Sequence, residues 1–301
     1  MKKRVEKEQE AVGQLKAEKR AMDVLYNYLD ELEAEAIFII RKAFQAGNKV
    51  GVLFSGGKDS TVLLHLCKLA FYPGRIPFHI IHIDTGHNFP EILQFRDKIV
   101  EELGCPLVVG KVEDTIKSGK AQDEKGPWAS RIAIQSITLL DVIKSEGFDI
   151  ILGGGRRDEE KARAKESIFS HRDIYGRWEP HRQRPEPWLI FNTCKNYGEH
   201  FRVFPLSNWS ELDIWLYIYR NSIEVAPLYF SHKRKCIIRK NGIILPYNEF
   251  IELLPDDIID DRVVRFRTVG DMTSSAATLS PAYSVEEIIL DVLNSETSER
   301  S

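Results

Sequence analysis

The chain has 301 residues, of which 43% are hydrophobic and 29% charged, and its formal net charge is −3 at pH 7. These values are typical of a globular protein with one large domain or two modest ones, and such a small net charge gives no general indication of a nucleic-acid partner. The four cysteines form no CxxC pair, which argues against a zinc knuckle, an iron–sulfur cluster or a disulfide scaffold. The sequence shows neither a signal-peptide core nor an apolar run of membrane-spanning length, so we expect a cytoplasmic protein without a membrane partner.

The first part of the chain favours helix. Residues 1–21 are almost entirely polar, and we predict a charged N-terminal extension there. From Met22 onward, leucine and isoleucine recur near helical spacing, which predicts a helix with one face packed on a core. The stretch "AGNK" at 46–49 should end this helix before the first strand.

Apolar strands then alternate with amphipathic helices. The predicted strands are 50–55, 78–84, 106–111 and 149–154, and the predicted helices are 60–71, 90–104 and 130–147. This alternation predicts an α/β fold with a doubly wound, mostly parallel sheet. Ligands of such sheets bind beyond the carboxyl ends of the strands, so we expect a site where Ser55–Ser60, Asp84–Phe89 and Gly153–Asp158 meet.

The chain becomes polar after Gly155. We predict a long, partly irregular insertion at 156–202 over the face that carries the site. Order returns at 203–221, where Ser210 and Asp213 have the spacing of a capping box. We therefore predict a nucleotide-binding domain at 22–230 and an irregular C-terminal segment at 231–301, the latter ending in a helix.

The connection after the first strand has the composition of a phosphate-binding loop. It consists of Ser55, Gly56, Gly57, Lys58, Asp59 and Ser60. Glycines let the backbone approach a phosphate, the amides at the start of the next helix bind anionic oxygens, and a lysine adds a point charge. The order S-G-G-K-D-S differs from G-x-x-x-x-G-K-[ST], so the loop is not a Walker A loop.

"SGGKDS" resembles the loop of the PP-loop ATP pyrophosphatases, which cleave ATP between the α- and β-phosphates. Further stretches, "HIDTGHNF", "GGGRRDEEKARAKE", "RVFPLSNWSELDIW" and "VVRFRTVGDMT", resemble the small catalytic subunit of heterodimeric sulfate adenylyltransferase. This resemblance covers the chain from about Met22 onward. The related sulfonucleotide reductases share the loop but use a C-terminal cysteine, which the final stretch here lacks.

The resemblance implies an adenine nucleotide alpha hydrolase-like fold and a nucleotidyltransferase of sulfate assimilation. The implied transferase uses ATP and sulfate to form adenosine 5′-phosphosulfate and pyrophosphate, with Mg²⁺ expected. It also implies a heterodimer with a GTPase large subunit. Because this chain has no G-x-x-x-x-G-K-[ST] motif, that GTPase would be a separate polypeptide.

We assign candidate roles on this basis. Ser55–Ser60 and Gly154 would bind the nucleotide, with Lys58 also catalytic, and Asp59 would either accept backbone N–H bonds or help to place Mg²⁺. Asp84 would bind the nucleoside, bind an adjacent loop or cap its strand. Arg156 and Arg157 follow three glycines and are candidates for the sulfate or α-phosphate site, since arginine pairs bidentately with such anions. No metal ligands are assigned.

One alternative function stays open. The same loop serves PP-loop enzymes of sulfur transfer, for example in DNA phosphorothioate modification, and only that interpretation would involve nucleic acid. It would need a sulfur-donating partner and a cysteine to carry sulfur. Cys194 and Cys236 lie in polar segments and are the candidates, whereas Cys67 lies on a predicted core helix.

Overall fold

The computed structural model describes residues 2–159, 163–182, 186 and 190–295, with only the backbone described at 2–18 and 21. Its helices and strands are α1 Lys2–Ala46, β1 Val50–Leu53, α2 Lys58–Phe71, β2 His79–Asp84, α3 Pro90–Leu103, β3 Leu107–Lys111, α4 Val112–Lys117, α5 Ile132–Glu146, β4 Ile150–Leu152, β5 Phe169–Arg172, β6 His200–Val203, α6 Glu211–Asn221, β7 His232–Ile238, β8 Ile244–Pro246, β9 Ile258–Phe266, β10 Ala277–Thr278 and α7 Val285–Leu293. Across these residues, no helix is both long and apolar enough to cross a membrane.

The central sheet has six strands in the order β3-β2-β1-β4-β6-β5. Its first five strands are parallel, and β5 pairs antiparallel with β6. Helices cover both faces: α1, α2, α3 and α6 pack on one side, and α5 packs on the other against Ile81 and Ile151. The predicted doubly wound, mostly parallel sheet is confirmed. Strand order reverses between β1 and β4, which is where such folds bind ligands.

The predicted insertion at 156–202 contains two strands of this sheet that the sequence analysis missed. The strands β5 and β6 read "FSHR" and "HFRV", too short and too polar to stand out as buried strands. Their polar side chains are nevertheless mostly buried, since Ser170, His171, Arg172 and His200 lie in the interior. Pairing with β4 gives the polar backbone of β6 its partners and extends the sheet to six strands.

The N-terminal and C-terminal parts of the chain contain more regular secondary structure than the sequence predicted. One helix, α1, runs through the predicted boundary at residue 21, so the charged extension and the amphipathic helix form a single element. In the C-terminal part, β7, β8, β9 and β10 close into a small antiparallel barrel, where the sequence indicated an irregular segment. The capping box of Ser210 and Asp213 at the start of α6 is confirmed. The domain boundaries themselves stay a prediction.

Candidate nucleotide-binding cleft

The loop from Ser55 to Ser60 joins β1 to α2. Gly56 has φ +80°, a conformation that favours glycine because a Cβ would be strained there. The Ser60 hydroxyl donates to the Gly57 carbonyl at 2.9 Å and closes the loop against the first turn of α2. This geometry brings the amino end of α2 to the edge of a cleft, where its backbone N–H groups and helix dipole favour anions.

The cleft itself has a volume of about 380 Å³ and lies between the carboxyl ends of β1 and β4. Residues from six separate parts of the chain line it, among them Ser55, Gly57, Lys58, Asp59, Ser60, Gln135, Gly153, Gly154, Gly155, Glu159, Arg163, Arg202, Tyr229 and Gly270. All the loop residues predicted to bind the nucleotide except Gly56 are thus in its wall. Gly154 leaves room for the loop, because a Cβ there would come within 3.1 Å of backbone atoms of Asp59 and Ser60.

A second cavity of about 210 Å³ adjoins the cleft on the β2 side. Apolar residues from the sheet and α5, including Phe54, Ile81 and Leu139, line it together with polar residues such as His82, Asn88, Gln135 and Asp271. It shares Ser55 and Gly270 with the cleft, among other residues. A flat apolar ring with polar edges fits such a cavity, and a polyphosphate fits the polar cleft beside it.

Charges beneath the loop are paired in a network around the buried side chain of Arg156. Asp59 accepts a hydrogen bond from Arg156 Nε at 2.6 Å and lies 3.3 Å from Lys58 Nζ. Arg156 also donates to Asp158 at 2.8 Å, and Asp158 accepts the backbone N–H of Glu211 at 3.0 Å. The Asp59 carboxylate therefore contacts two cations.

The network shifts the ionisation of its members. Burial opposes the charge of Asp59, but Lys58 and Arg156 outweigh that effect and hold the pKa of this carboxyl below its ordinary value. Burial lowers the pKa of Lys58, with Asp59 acting in the opposite direction. Burial raises the pKa of Asp158, which Arg156 opposes. Tyr229, whose pKa burial raises, accepts the Lys58 backbone N–H at 2.7 Å and fixes the start of α2.

The predicted anion-binding arginines differ in their surroundings. The Arg156 side chain is fully buried and bonded to Asp59 and Asp158, so its described contacts are with the protein. Arg157 is partly exposed and donates to Asn208 at 2.6 Å, and it does not line the cleft. Two other arginines, Arg163 and Arg202, do line it. The sequence analysis did not single out Arg202, because it lies in a strand that was not recognised.

Asp84 lies at the end of β2, as predicted, but lines neither cavity. Its Oδ1 accepts the backbone N–H of Gly86 at 2.8 Å, so it caps the turn after the strand, one of the roles considered for it. The next residues contact the C-terminal part of the chain: Asn88 forms a β-bridge with Asp271, and Met272 donates its N–H to the His87 carbonyl at 2.8 Å. The loop 268–271 thereby becomes a wall of both cavities, which the sequence analysis did not anticipate.

The candidate sulfur-carrying cysteines lie away from both cavities. Cys236 is buried in β7, where burial raises the pKa of its thiol, and Cys194 is exposed in the segment before β6. A raised pKa disfavours the thiolate that sulfur transfer needs. Among the described residues, no group of three or more His, Cys, Asp or Glu side chains could hold a metal ion.

Comparison with known proteins identifies the family. Residues 49–277 match the phosphoadenosine phosphosulfate reductase domain. A protein of Mycolicibacterium gilvum named sulfate adenylyltransferase subunit 2 is 47% identical over 274 residues, which cover 91% of this chain and 87% of that protein. A Streptomyces lavendulae protein with the same name is 44% identical, covering 91% of this chain and 85% of its own length. Phosphoadenylyl-sulfate reductase of Candida auris, a solved structure, matches 67% of this chain and 89% of its own at 17% identity, with a TM-score of 0.44.

The two curated relatives span nearly the whole chain, including the loop, the segment after β4 and the C-terminal loop that together form the cleft. The family model covers every described strand of the central sheet. The chain therefore belongs to the phosphoadenosine phosphosulfate reductase domain family and, within it, to the family of sulfate adenylyltransferase subunit 2.

Proposed function

We propose that the chain transfers the adenylyl group of ATP to sulfate, giving adenosine 5′-phosphosulfate and pyrophosphate. The observation that carries this proposal is the cleft, in which the amino end of α2 and the cationic residues Lys58, Arg163 and Arg202 line one cavity. A cleft with these groups can hold two polyanions side by side. The names of the relatives at 44% and 47% identity support the same reaction.

The reaction makes few chemical demands on the protein. A sulfate oxygen is already deprotonated, so it can attack the α-phosphorus without a general base, and pyrophosphate leaves without needing a proton. Catalysis then consists of holding the two anions in line and stabilising the charge that develops between them. The adenine ring would occupy the 210 Å³ cavity, and the β- and γ-phosphates would lie against the loop Ser55–Ser60 at the amino end of α2.

Lys58 and Arg156 have different parts in this proposal. Lys58 lines the cleft and would neutralise charge on the departing pyrophosphate. Arg156 would act through Asp59, which it binds at 2.6 Å, and so position the first turn of α2. Arg157 stays a predicted anion-binding residue, although its guanidinium is bonded to Asn208.

The cleft has carboxylates that could bind Mg²⁺ together with ATP. Mg²⁺ commonly keeps several waters and binds through one or two carboxylates together with substrate phosphates. Asp59 and Glu159 are the carboxylates in the cleft wall, so they would hold the ion with the triphosphate. When bound, it would supply positive charge to the β- and γ-phosphates.

A partner subunit is part of the proposal, because the relatives are named as one subunit of an enzyme. We propose a GTPase large subunit. Adenosine 5′-phosphosulfate is a high-energy mixed anhydride, and cleavage of ATP to pyrophosphate alone does not drive its formation far. Hydrolysis of GTP by the partner would supply the free energy that this reaction lacks. The chain itself has no Walker A motif to bind a second nucleotide.

The test is pyrophosphate release by the purified chain with a candidate GTPase subunit, ATP and GTP. Release should depend on sulfate and should vanish when chloride replaces sulfate at equal ionic strength. A Lys58→Met variant, which loses the cleft lysine, should release pyrophosphate at least a hundredfold more slowly. Release that ignores sulfate and responds instead to a cysteine desulfurase or to nucleic acid would refute the proposal and favour sulfur transfer.

A further inference from the structure

Arg202 occupies an unusual position for a charged residue. It lies in the middle of β6, in register with Ile151 of β4, and its side chain reaches the wall of the cleft beside Gly153. Its Nε is buried without a hydrogen-bond partner, and none of the described carboxylates lies within ion-pair distance of its guanidinium. Arg202 is only partly exposed and its Nε is buried without a partner, so an anion from solution would stabilise this guanidinium.

Two further arginines surround it. Arg172 of β5 is paired with Glu166 at 2.5 Å, and Arg163 lies at the cleft with Glu159 at 3.7 Å from its Nε. Burial, together with the charges of Arg172 and Arg163, lowers the pKa of Arg202 to about 10. The three arginines thus lie close enough for their charges to act on one another, which favours an anion at this end of the cleft.

The third glycine after β4, Gly155, leaves space for the side chain of Arg163. A Cβ on Gly155 would come 2.3 Å from Nη1 of Arg163, so the glycine leaves open the space that this guanidinium occupies at the end of the strand. Arg163 then stands over the ring of Phe204, at 5.9 Å from the ring centroid, on the same side of the cleft as Arg202. The absence of a side chain at Gly155 is therefore part of the site.

We propose that Arg163 and Arg202 form the subsite that binds the acceptor sulfate, an inference that rests on the proposed function. Arginine presents its N–H groups in a planar fork that matches a tetraoxyanion, and two such forks balance the two charges of sulfate. Arg156 is already bonded to Asp59 and Asp158, and Arg157 to Asn208, so the cations that follow the three glycines directly are less suited to this task.

This assignment also separates the two anions. The amides at the start of α2 and Lys58 would receive the phosphates of ATP, whereas β6 lies on the far side of β4 from β1. Sulfate held near β6 would face the α-phosphate from the side opposite the leaving pyrophosphate. In-line attack requires that arrangement.

The test uses the chain together with its partner subunit and compares the KM values for sulfate and for ATP. For Arg202→Gln, we expect the KM for sulfate to rise at least tenfold while the KM for ATP changes less than twofold. Arg202→Lys should recover part of the loss, because it keeps the charge but not the planar fork. Calorimetry of sodium sulfate binding, without turnover, should show weaker binding to Arg202→Gln and to Arg163→Gln.

The matched control is Arg262→Gln, which removes a half-exposed arginine of β9 that is paired with Asp260 and does not line the cleft. An unchanged KM for sulfate in a folded Arg202→Gln protein would overturn the inference, and so would a rise in the KM for ATP alone. If wild type binds sulfate through Arg202 but never releases pyrophosphate in response to it, the subsite stands and the proposed function fails. Neither binding nor turnover in wild type would refute both.

Discussion

Arg156 donates a 2.6 Å hydrogen bond from Nε to Oδ1 of Asp59, which joins the segment after β4 to the first turn of α2. The two residues lie far apart in the sequence, yet this contact locks together the two strand ends between which the cleft opens. Asp59 also lies 3.3 Å from Lys58, so the position of the cleft lysine depends on the same carboxylate.

Removing the buried guanidinium should destabilise the protein. For Arg156→Met, we expect the free energy of unfolding in urea to fall by about 3 kcal/mol, because two carboxylates each lose a charged partner. The exposed pair of Arg262 with Asp260 provides the control, and Arg262→Gln should cost under about 1 kcal/mol. Equal losses in the two variants would contradict a structural role for the buried pair.

A single methyl group at Gly154 should disturb the loop. In Gly154→Ala the new Cβ would lie 3.1 Å from backbone atoms of Asp59 and Ser60, which cannot move as a flexible side chain would. We expect ATP binding, measured by calorimetry, to weaken at least tenfold. At the neighbouring Gly153 a Cβ would meet the Phe204 ring at an ordinary 3.4 Å, so Gly153→Ala should weaken binding much less. The prediction fails if the two variants bind ATP equally well.

The phenol of Tyr229, a buried side chain, should matter for stability. In Tyr229→Phe the buried N–H of Lys58 loses its acceptor, and an unsatisfied buried donor costs about 2 kcal/mol. Chemical denaturation would measure the loss. Tyr283→Phe removes a hydroxyl from a side chain that is 73% exposed and should leave the unfolding midpoint unchanged.

Stability should fall in mild acid because of His200. Burial, followed by the charges of Arg202, Arg172 and His171, lowers the pKa of His200 from its ordinary 6.5 to about 4. Between pH 6.5 and pH 4, His200 is protonated in the unfolded chain but neutral in the folded protein. The free energy of unfolding therefore decreases as pH falls through this range. The two pKa values imply a contribution of about 2 kcal/mol to the loss between pH 7 and pH 5.

The measurement compares urea unfolding at the two pH values in wild type and in His200→Gln. The variant should lose about 2 kcal/mol less than wild type on acidification, whatever its stability at pH 7. His181→Gln, which removes an exposed imidazole, should show the wild-type loss. An identical pH dependence in all three proteins would exclude His200 as the sensitive group.

Much of the fold was accessible from sequence because hydrophobic periodicity and strand-end motifs are local signals. The four apolar strands, their helices and the loop from Ser55 to Ser60 all follow from short stretches of chain. The strand β6 was not accessible, because "HFRV" carries two charged or titratable residues whose burial depends on neighbours in space. Only the pairing with β4 shows that Arg202 faces a cleft.

The loop residues of the candidate site were predictable from the sequence, whereas its arginines were not. Lys58, Asp59 and Gly154 line the cleft, as predicted. Their position was predictable because a glycine-rich turn between a strand and a helix is a local signal of an anion-binding loop. The arginines were harder to place, since nearness in sequence to the glycines favoured Arg156 and Arg157. A parallel sheet instead brings together the ends of strands that are distant in sequence, and the side chain that fills such a space cannot be identified from spacing alone.

The bridge between Asn88 and Asp271 has a consequence for how the protein is made. Ser55 and residues 268–270 line the same cleft. During synthesis, β1 and the loop after it leave the ribosome long before residues 268–270, which complete the wall of the cleft. A nascent or prematurely terminated chain can form the early strands and still lack a finished nucleotide pocket. Retention on immobilised ATP would therefore select molecules whose synthesis had passed Asp271, and ATP in the cell would stabilise these chains over shorter fragments.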